Sequence, residues 1–261
     1  MPNSTSIWMI GALLAVAACS KTASAPAGSE PTVKIELRPK STLLLTDVSW
    51  VAMTDHFVAT VGAAAGQGKP WQNVLVLADA TFAPHARFPM HDHQDMEIVS
   101  LVLAGTLTHH EPTTSLNIAE HAAQIMSAHQ GMSHAEGNET DTPVRMLQIW
   151  IRPRANTLKP IAGTHEVLGP FEKVGQWMQV TPASLRQSAA VKVTHVPSDQ
   201  SIELRIADGK GGYLLCAGGP VTIGSGGTAV TLQDGDGAFV SAGNANVVAQ
   251  HNKATLVLLE Q

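Results

Sequence analysis

His91-Asp92-His93 sets two imidazoles two residues apart, and His134-Ala135-Glu136 repeats that spacing with a histidine and a carboxylate. Side chains at i and i+2 leave an extended strand on the same face. Two such strands facing each other would offer three imidazole nitrogens and one carboxylate oxygen to a single metal ion. That donor set suits Fe, Ni, Mn, Co, Cu or Zn, and no thiolate selection of a softer ion is present. Four protein donors leave an octahedral ion two open positions, for a substrate oxygen and for dioxygen or water. Each donor atom must be deprotonated to bind, so occupancy should fall in acid.

Glu97 is a further candidate. If the strand runs from His91 without a bulge, Glu97 shares a face with His91 and His93, as do Val99, Leu101 and Leu103. There it is a partner that orients a ligand histidine, a proton acceptor, or a barrel-rim carboxylate with no role. Eight of the twelve histidines fall between His85 and His134. The others, His56, His165, His195 and His251, read most simply as surface or core residues.

The elements that must position these residues are short strands. Val33 to Leu37 alternates apolar and polar, as a half-buried strand does. Asn73–Ala80, Met96–Ala104, Thr106–His110, Ala123–Met126 and Arg145–Arg152 read as further strands, and Gly105, Gly131 and Pro153 punctuate them. Pro182 to Gln187 reads as one helical turn. From Ala190 onward eight more strand-like runs follow, including SIELRI, GYLLCA, GAFVSA and ANVVAQ, with Gly and Asp between them. Short strands at this spacing point to barrels or sandwiches.

Composition bounds the function. The 261 residues are 44% hydrophobic and 14% charged, with a formal net charge of -5. No Lys/Arg stripe offers an electrostatic footprint for nucleic acid, and aromatics are too sparse for a base-stacking platform. Cys19 and Cys216 cannot build a disulfide framework or a cysteine zinc site. His134-Ala135-Glu136 also looks like half of a zinc deaminase signature, but its Cys-x-x-Cys partner is missing. Gly224-Ser225-Gly226-Gly227 lacks the helix and lysine of a phosphate loop. Asp234-Gly235-Asp236-Gly237 lacks the rest of a calcium loop, and no G-x-S-x-G elbow supports serine chemistry.

Residues Ile7 to Ala18 form an apolar run too short to span a bilayer comfortably as a helix, ending in Val16-Ala17-Ala18-Cys19. This reads as a secretory signal with a small-residue cleavage site. The cysteine after the small residues resembles a bacterial lipobox, which implies a lipid anchor on Cys19 in the cell envelope. Ser20 after it resembles lipoproteins sent on to the outer membrane, on its periplasmic side. Residues 19–31 are then a flexible tether.

The run Phe88-Pro89-Met90-His91-Asp92-His93, with Asp95-Met96-Glu97-Ile98-Val99 after it, resembles the pirin and bacterial quercetinase-like branch of the cupin superfamily. So do Ala104-Gly105-Thr106-Leu107-Thr108-His109, Met126-Ser127-Ala128 with Gly131, and His134-Ala135-Glu136 followed by Leu147-Gln148-Ile149-Trp150-Ile151-Arg152-Pro153. The resemblance implies an all-β bicupin of two jelly-roll barrels. The expected organisation is signal peptide 1–18, tether 19–31, metal-binding N-terminal cupin 32–165, linker 166–189 and metal-free C-terminal cupin 190–261. It implies one divalent metal per chain, Fe(II) foremost, held by His91, His93, His134 and Glu136. It also implies a dioxygenase similar to quercetin 2,3-dioxygenase, acting on a flavonol or related enediol with dioxygen. In that family's chemistry the ring opens and carbon monoxide leaves. Glu97, or Glu136 if it detaches, would take the flavonol proton. A non-enzymatic metal-binding or redox-sensing protein of the envelope is the alternative. The sequence departs from the family pattern before Gly62, at His129, and in the loop from Glu111 to His121. These departures bear on substrate identity more than on metal binding.

Overall fold

The computed structural model describes residues 33–250 and 253–261. The signal peptide, the tether and the anchor at Cys19 lie outside the described residues, as does His251. Strands dominate, and among the described residues no α-helix forms. Pro182 to Gln187, expected as a helical turn, forms a tight bend in which the Leu185 amide reaches the Pro182 carbonyl at 3.4 Å.

The architecture is a bicupin. In the first barrel a seven-stranded sheet runs in the order Thr164–Leu168, Ala123–Ser127, Glu97–Ala104, Val144–Ile151, Val74–Phe82, Val51–Asp55, Leu44–Val48. A four-stranded sheet completes that barrel, in the order His91–His93, Met132–Gly137, Leu107–His110, Ser115–Ile118. The second barrel is one eight-stranded sheet curled on itself. Its two long strands, Ser201–Ala217 and Gly237–Ala249, were each expected as two separate runs. They stay continuous because the register shifts between Ile206 and Gly211. An irregularity of this kind bends a strand around a barrel without ending it.

The seven-stranded sheet is covered on both faces, which explains its nearly unbroken apolar runs. One face, with Val76, Ala78, Ala80, Val102 and Met146, fills the first barrel. The opposite face, with Leu77, Val99, Leu101, Leu147 and Ile149, packs on Val191, Val193, Tyr213, Leu215, Val257 and Leu259 of the second. Alternation within each strand therefore separates the barrel interior from the seam between barrels. The expected limits of the first cupin, 32–165, differ from the strand pairing at both ends. Ile35–Arg38 pairs with the Gly237–Ala249 strand, Ile35 opposite Val240, and Ile35 packs against the second core. Thr164–Leu168 returns to the first sheet beside Ala123–Ser127.

Asp55 and His56, at the end of the Val51–Asp55 strand, carry a pH dependence. Asp55 is 1% exposed, and neither carboxylate oxygen has a partner. Burial pushes its pKa up to about 6. His56 is fully buried, with Nδ1 2.7 Å from the Tyr213 hydroxyl, and burial pushes it down to about 3. The fold favours protonated Asp55, so its stabilising contribution is complete below the ordinary carboxylate pKa and is lost as pH rises through 6. Asp55→Asn, which mimics the neutral form, should stabilise the protein by roughly 2 kcal/mol at pH 8 and change little at pH 4. Urea unfolding at the two pH values checks this, and an equal change at both would contradict it.

Candidate metal centre

His91 and His93 leave one strand of the four-stranded sheet, and His134 leaves its neighbour directly opposite His91. Their donor atoms lie within 4.8 Å of one another. The three rings meet edge to face, at centroid distances of 4.5 Å for His91–His134, 4.9 Å for His91–His93 and 5.0 Å for His93–His134. The i, i+2 spacing does what it was expected to do, and the antiparallel register supplies the third ring.

Hydrogen bonding fixes which nitrogens point inward. His91 Nδ1 is 2.8 Å from the Pro89 carbonyl, which can only accept, so Nδ1 carries the proton. His134 Nδ1 is 3.0 Å from the Met126 thioether, again an acceptor. Each histidine thus turns an Nε2 lone pair inward, and the two Nε2 atoms face each other at 3.0 Å. The buried His93 Nε2 has no partner. Opposed lone pairs repel unless a cation joins them. A proton could serve, but burial, followed by the charges of His91 and His93, pushes His134 down to about 2. Two nitrogens bound at right angles to an ion at about 2.1 Å lie about 3 Å apart, so the three histidines fit a divalent metal. Outer partners that fix the tautomer in this way are a regular part of such sites.

Glu136 sits two residues beyond His134 and is 1% exposed. Its carboxylate is not among the atoms that converge within 4.8 Å. Its Oε1 accepts from Gln148 Nε2 at 2.5 Å, while the Ser100 hydroxyl donates to Gln148 Oε1 at 2.5 Å. Its Oε2 has no partner. Burial pushes Glu136 up to about 7, against the hydrogen bond from Gln148. Glu136 and His91 open together onto a cavity of about 400 Å³ walled by Trp50, Phe88, Met146 and Trp150. An apolar cavity with a few convergent polar groups is the ordinary form of a small-molecule site.

Glu97 is not in this pocket. The strand is interrupted between His93 and Glu97, where Asp95 adopts a left-handed φ of 47°, and the shared-face expectation fails there. Within its strand Glu97 has the parity of Val99 and Leu101, which face the seam, whereas Ser100 points with Gln148 into the barrel. Glu97 is fully buried and accepts from the Ser127 hydroxyl at 2.8 Å, the Arg186 Nε at 2.8 Å and the Arg186 amide at 3.0 Å. Arg186 also reaches Asp95 at 3.0 Å. A carboxylate held by this many donors is an anchor for the segment carrying Arg186.

Some of these residues went unread in the sequence. Gln148 had a signal: it is the one polar residue inside an apolar strand run, at interior parity. Arg186 had none, because it lies in a stretch without periodicity.

The fold and site define a bicupin with a three-histidine metal centre in its N-terminal barrel. The Pirin family profile matches residues 39–151, and that of the quercetinase C-terminal cupin domain matches residues 179–260. A Zymomonas mobilis protein named "Putative quercetin 2,3-dioxygenase" is 30% identical over 77% of this chain and 87% of its own length. A Caulobacter vibrioides pirin-like protein is 28% identical over 87% of this chain and 99% of its own. Among solved structures, the Escherichia coli pirin YhhW in complex with nickel(II) superposes with a TM-score of 0.74 at 23% identity, covering 87% of this chain and 98% of that one. The chain belongs to the pirin family.

Proposed function

We propose that the protein is a metal-dependent dioxygenase of quercetin 2,3-dioxygenase type, acting on a flavonol or a related enediol. The observation that carries this reading is the pair of Nε2 lone pairs facing each other beside an orphaned His93 Nε2, at the edge of an apolar cavity. His91, His93 and His134 would hold the metal, with Glu136 as the fourth donor. A bound divalent ion would supply Lewis acidity toward a substrate oxyanion. Fe(II) is the metal that the family resemblance implies, and the nickel(II) bound by the E. coli pirin makes nickel the first rival.

The remaining work falls to the chain's own groups. Trp50, Phe88 and Trp150 give a flat aromatic substrate apolar walls and exclude water from it. Glu136, whose Oε2 meets no hydrogen-bond donor of the chain, would take the substrate hydroxyl proton when it detaches from the metal. Gln148, held by Ser100, keeps Glu136 Oε1 in place so that Oε2 is the reactive atom. The lipobox-like leader adds the cell envelope as the place of action, supported by the sequence of residues 1–31 alone.

The test is oxygen uptake with quercetin and simpler enediols by protein reconstituted with each first-row metal in turn, with carbon monoxide release as the second readout. Turnover with at least one metal is expected. Full metal occupancy without turnover under any of them would overturn the dioxygenase reading in favour of the non-enzymatic alternative.

A further inference from the structure

Next to the three-histidine centre lies a second set of donors, His109, Glu111 and His165, and we propose that it is a separate metal site. It goes beyond the dioxygenase reading and stands without it. The three donor atoms lie within 4.8 Å of one another. His109 lies on the Leu107–His110 strand beside Met132–Gly137, directly opposite Glu136. His165 lies on the edge strand Thr164–Leu168, opposite Met126. Two elements far apart in sequence therefore bring the imidazoles together, with ring centroids 4.3 Å apart.

The polar atoms here are unsatisfied. His109 is 1% exposed, yet neither of its ring nitrogens has a hydrogen-bond partner, and His165 Nε2 has none either. A buried imidazole with both nitrogens idle is costly, since each lost its water on folding. Glu111 Oε1 lies 3.6 Å from His109 Nε2 and 3.6 Å from His165 Nδ1. That is too long for a hydrogen bond to either. It is close to the roughly 3.4 Å that separates two donors bound tetrahedrally to an ion at about 2.1 Å. The carboxylate is also aimed: Thr114 donates to Glu111 Oε2 at 3.3 Å, which leaves Oε1 toward the two rings.

Two imidazoles and one carboxylate make a zinc-type donor set, with a fourth tetrahedral position open on the partly exposed Glu111 side. The His109 ring stands 5.1 Å from that of His134. The two centres are thus neighbours within one barrel but share no ligand. The expectation of one metal per chain becomes two.

The test counts metal on the full chain. Protein stripped with a chelator is titrated with Zn(II) and Co(II), followed by elemental analysis after desalting and by the visible spectrum of the cobalt form. Wild type should take up two equivalents, one of them giving the intense visible band of tetrahedral cobalt. Glu111→Gln and His165→Ala should each take up one and lose that band. His91→Ala should also take up one, but keep the band. Saturation of wild type at one equivalent, or two equivalents in both Glu111→Gln and His165→Ala, would overturn the proposal. Glu111→Gln is isosteric and only partly buried, so it decides alone if His165→Ala fails to fold. Absence of oxygen uptake would leave these counts unchanged, so this proposal and the dioxygenase reading fail separately.

Discussion

Replacing His134 by Ala should abolish the thermal response of the three-histidine centre to metal. The comparison belongs in a Glu111→Gln, His165→Ala background, where the neighbouring donors cannot respond. With free metal at about 100 times its dissociation constant, the intact centre gains about 2.7 kcal/mol, or roughly 5–11 °C in Tm for a chain of this size. The argument rests on the inward Nε2 atoms of His91 and His134, 3.0 Å apart, with both Nδ1 protons already engaged by Pro89 and Met126. Losing an outer partner of a ligand costs 10–100-fold in metal affinity, and losing the ligand itself costs more. The His134→Ala protein should therefore melt at the same temperature with and without metal. An unchanged metal-induced shift would show that the facing imidazoles are not the centre.

What the sequence disclosed and what it withheld follow from range. The two i, i+2 pairs are local, and strand geometry alone sends both side chains of each pair to one face. That is why His91, His93 and His134 were legible as a group, and why Glu136 was read with them although its carboxylate does not converge on the three rings. The register that sets His134 opposite His91 is a long-range fact, set by the pairing of Met132–Gly137 with His91–His93. Glu97 failed for a local reason that one residue hides: left-handed Asp95 resets the parity between two strands that look continuous on paper. The pairing of Ile35–Arg38 with the second barrel could not be read at all. An alternating strand needs one buried face and says nothing about which sheet supplies it. His165 looked ordinary because its partners, His109 and Glu111, meet it only through the edge pairing of Thr164–Leu168 with Ala123–Ser127.

The same long-range logic predicts that Arg186→Ala is among the most damaging single changes outside the metal centre. It should cost about 3–5 kcal/mol, the usual result of stripping one partner from a buried ion pair. That corresponds to roughly 6–20 °C in Tm. Arg186 and Glu97 are 5% and 0% exposed, and their side chains meet at 2.8 Å. Without the guanidinium, Glu97 keeps the Ser127 hydroxyl and one backbone amide, but its charge is buried without an opposite charge. The pair itself need not be worth that much, because folding must also desolvate both ions. The double substitution Arg186→Met with Glu97→Leu, which removes both charges and keeps volume, should therefore recover most of the loss. It also separates an anchor from a catalytic base. Thermal melts establish the recovery, and metal content and oxygen uptake are then measured on the double variant below its melting temperature. An anchoring role predicts full metal occupancy and turnover within a few-fold of wild type. A recovered melting temperature with turnover abolished would return Glu97 to the chemistry, by a route across the sheet that its parity in the strand argues against.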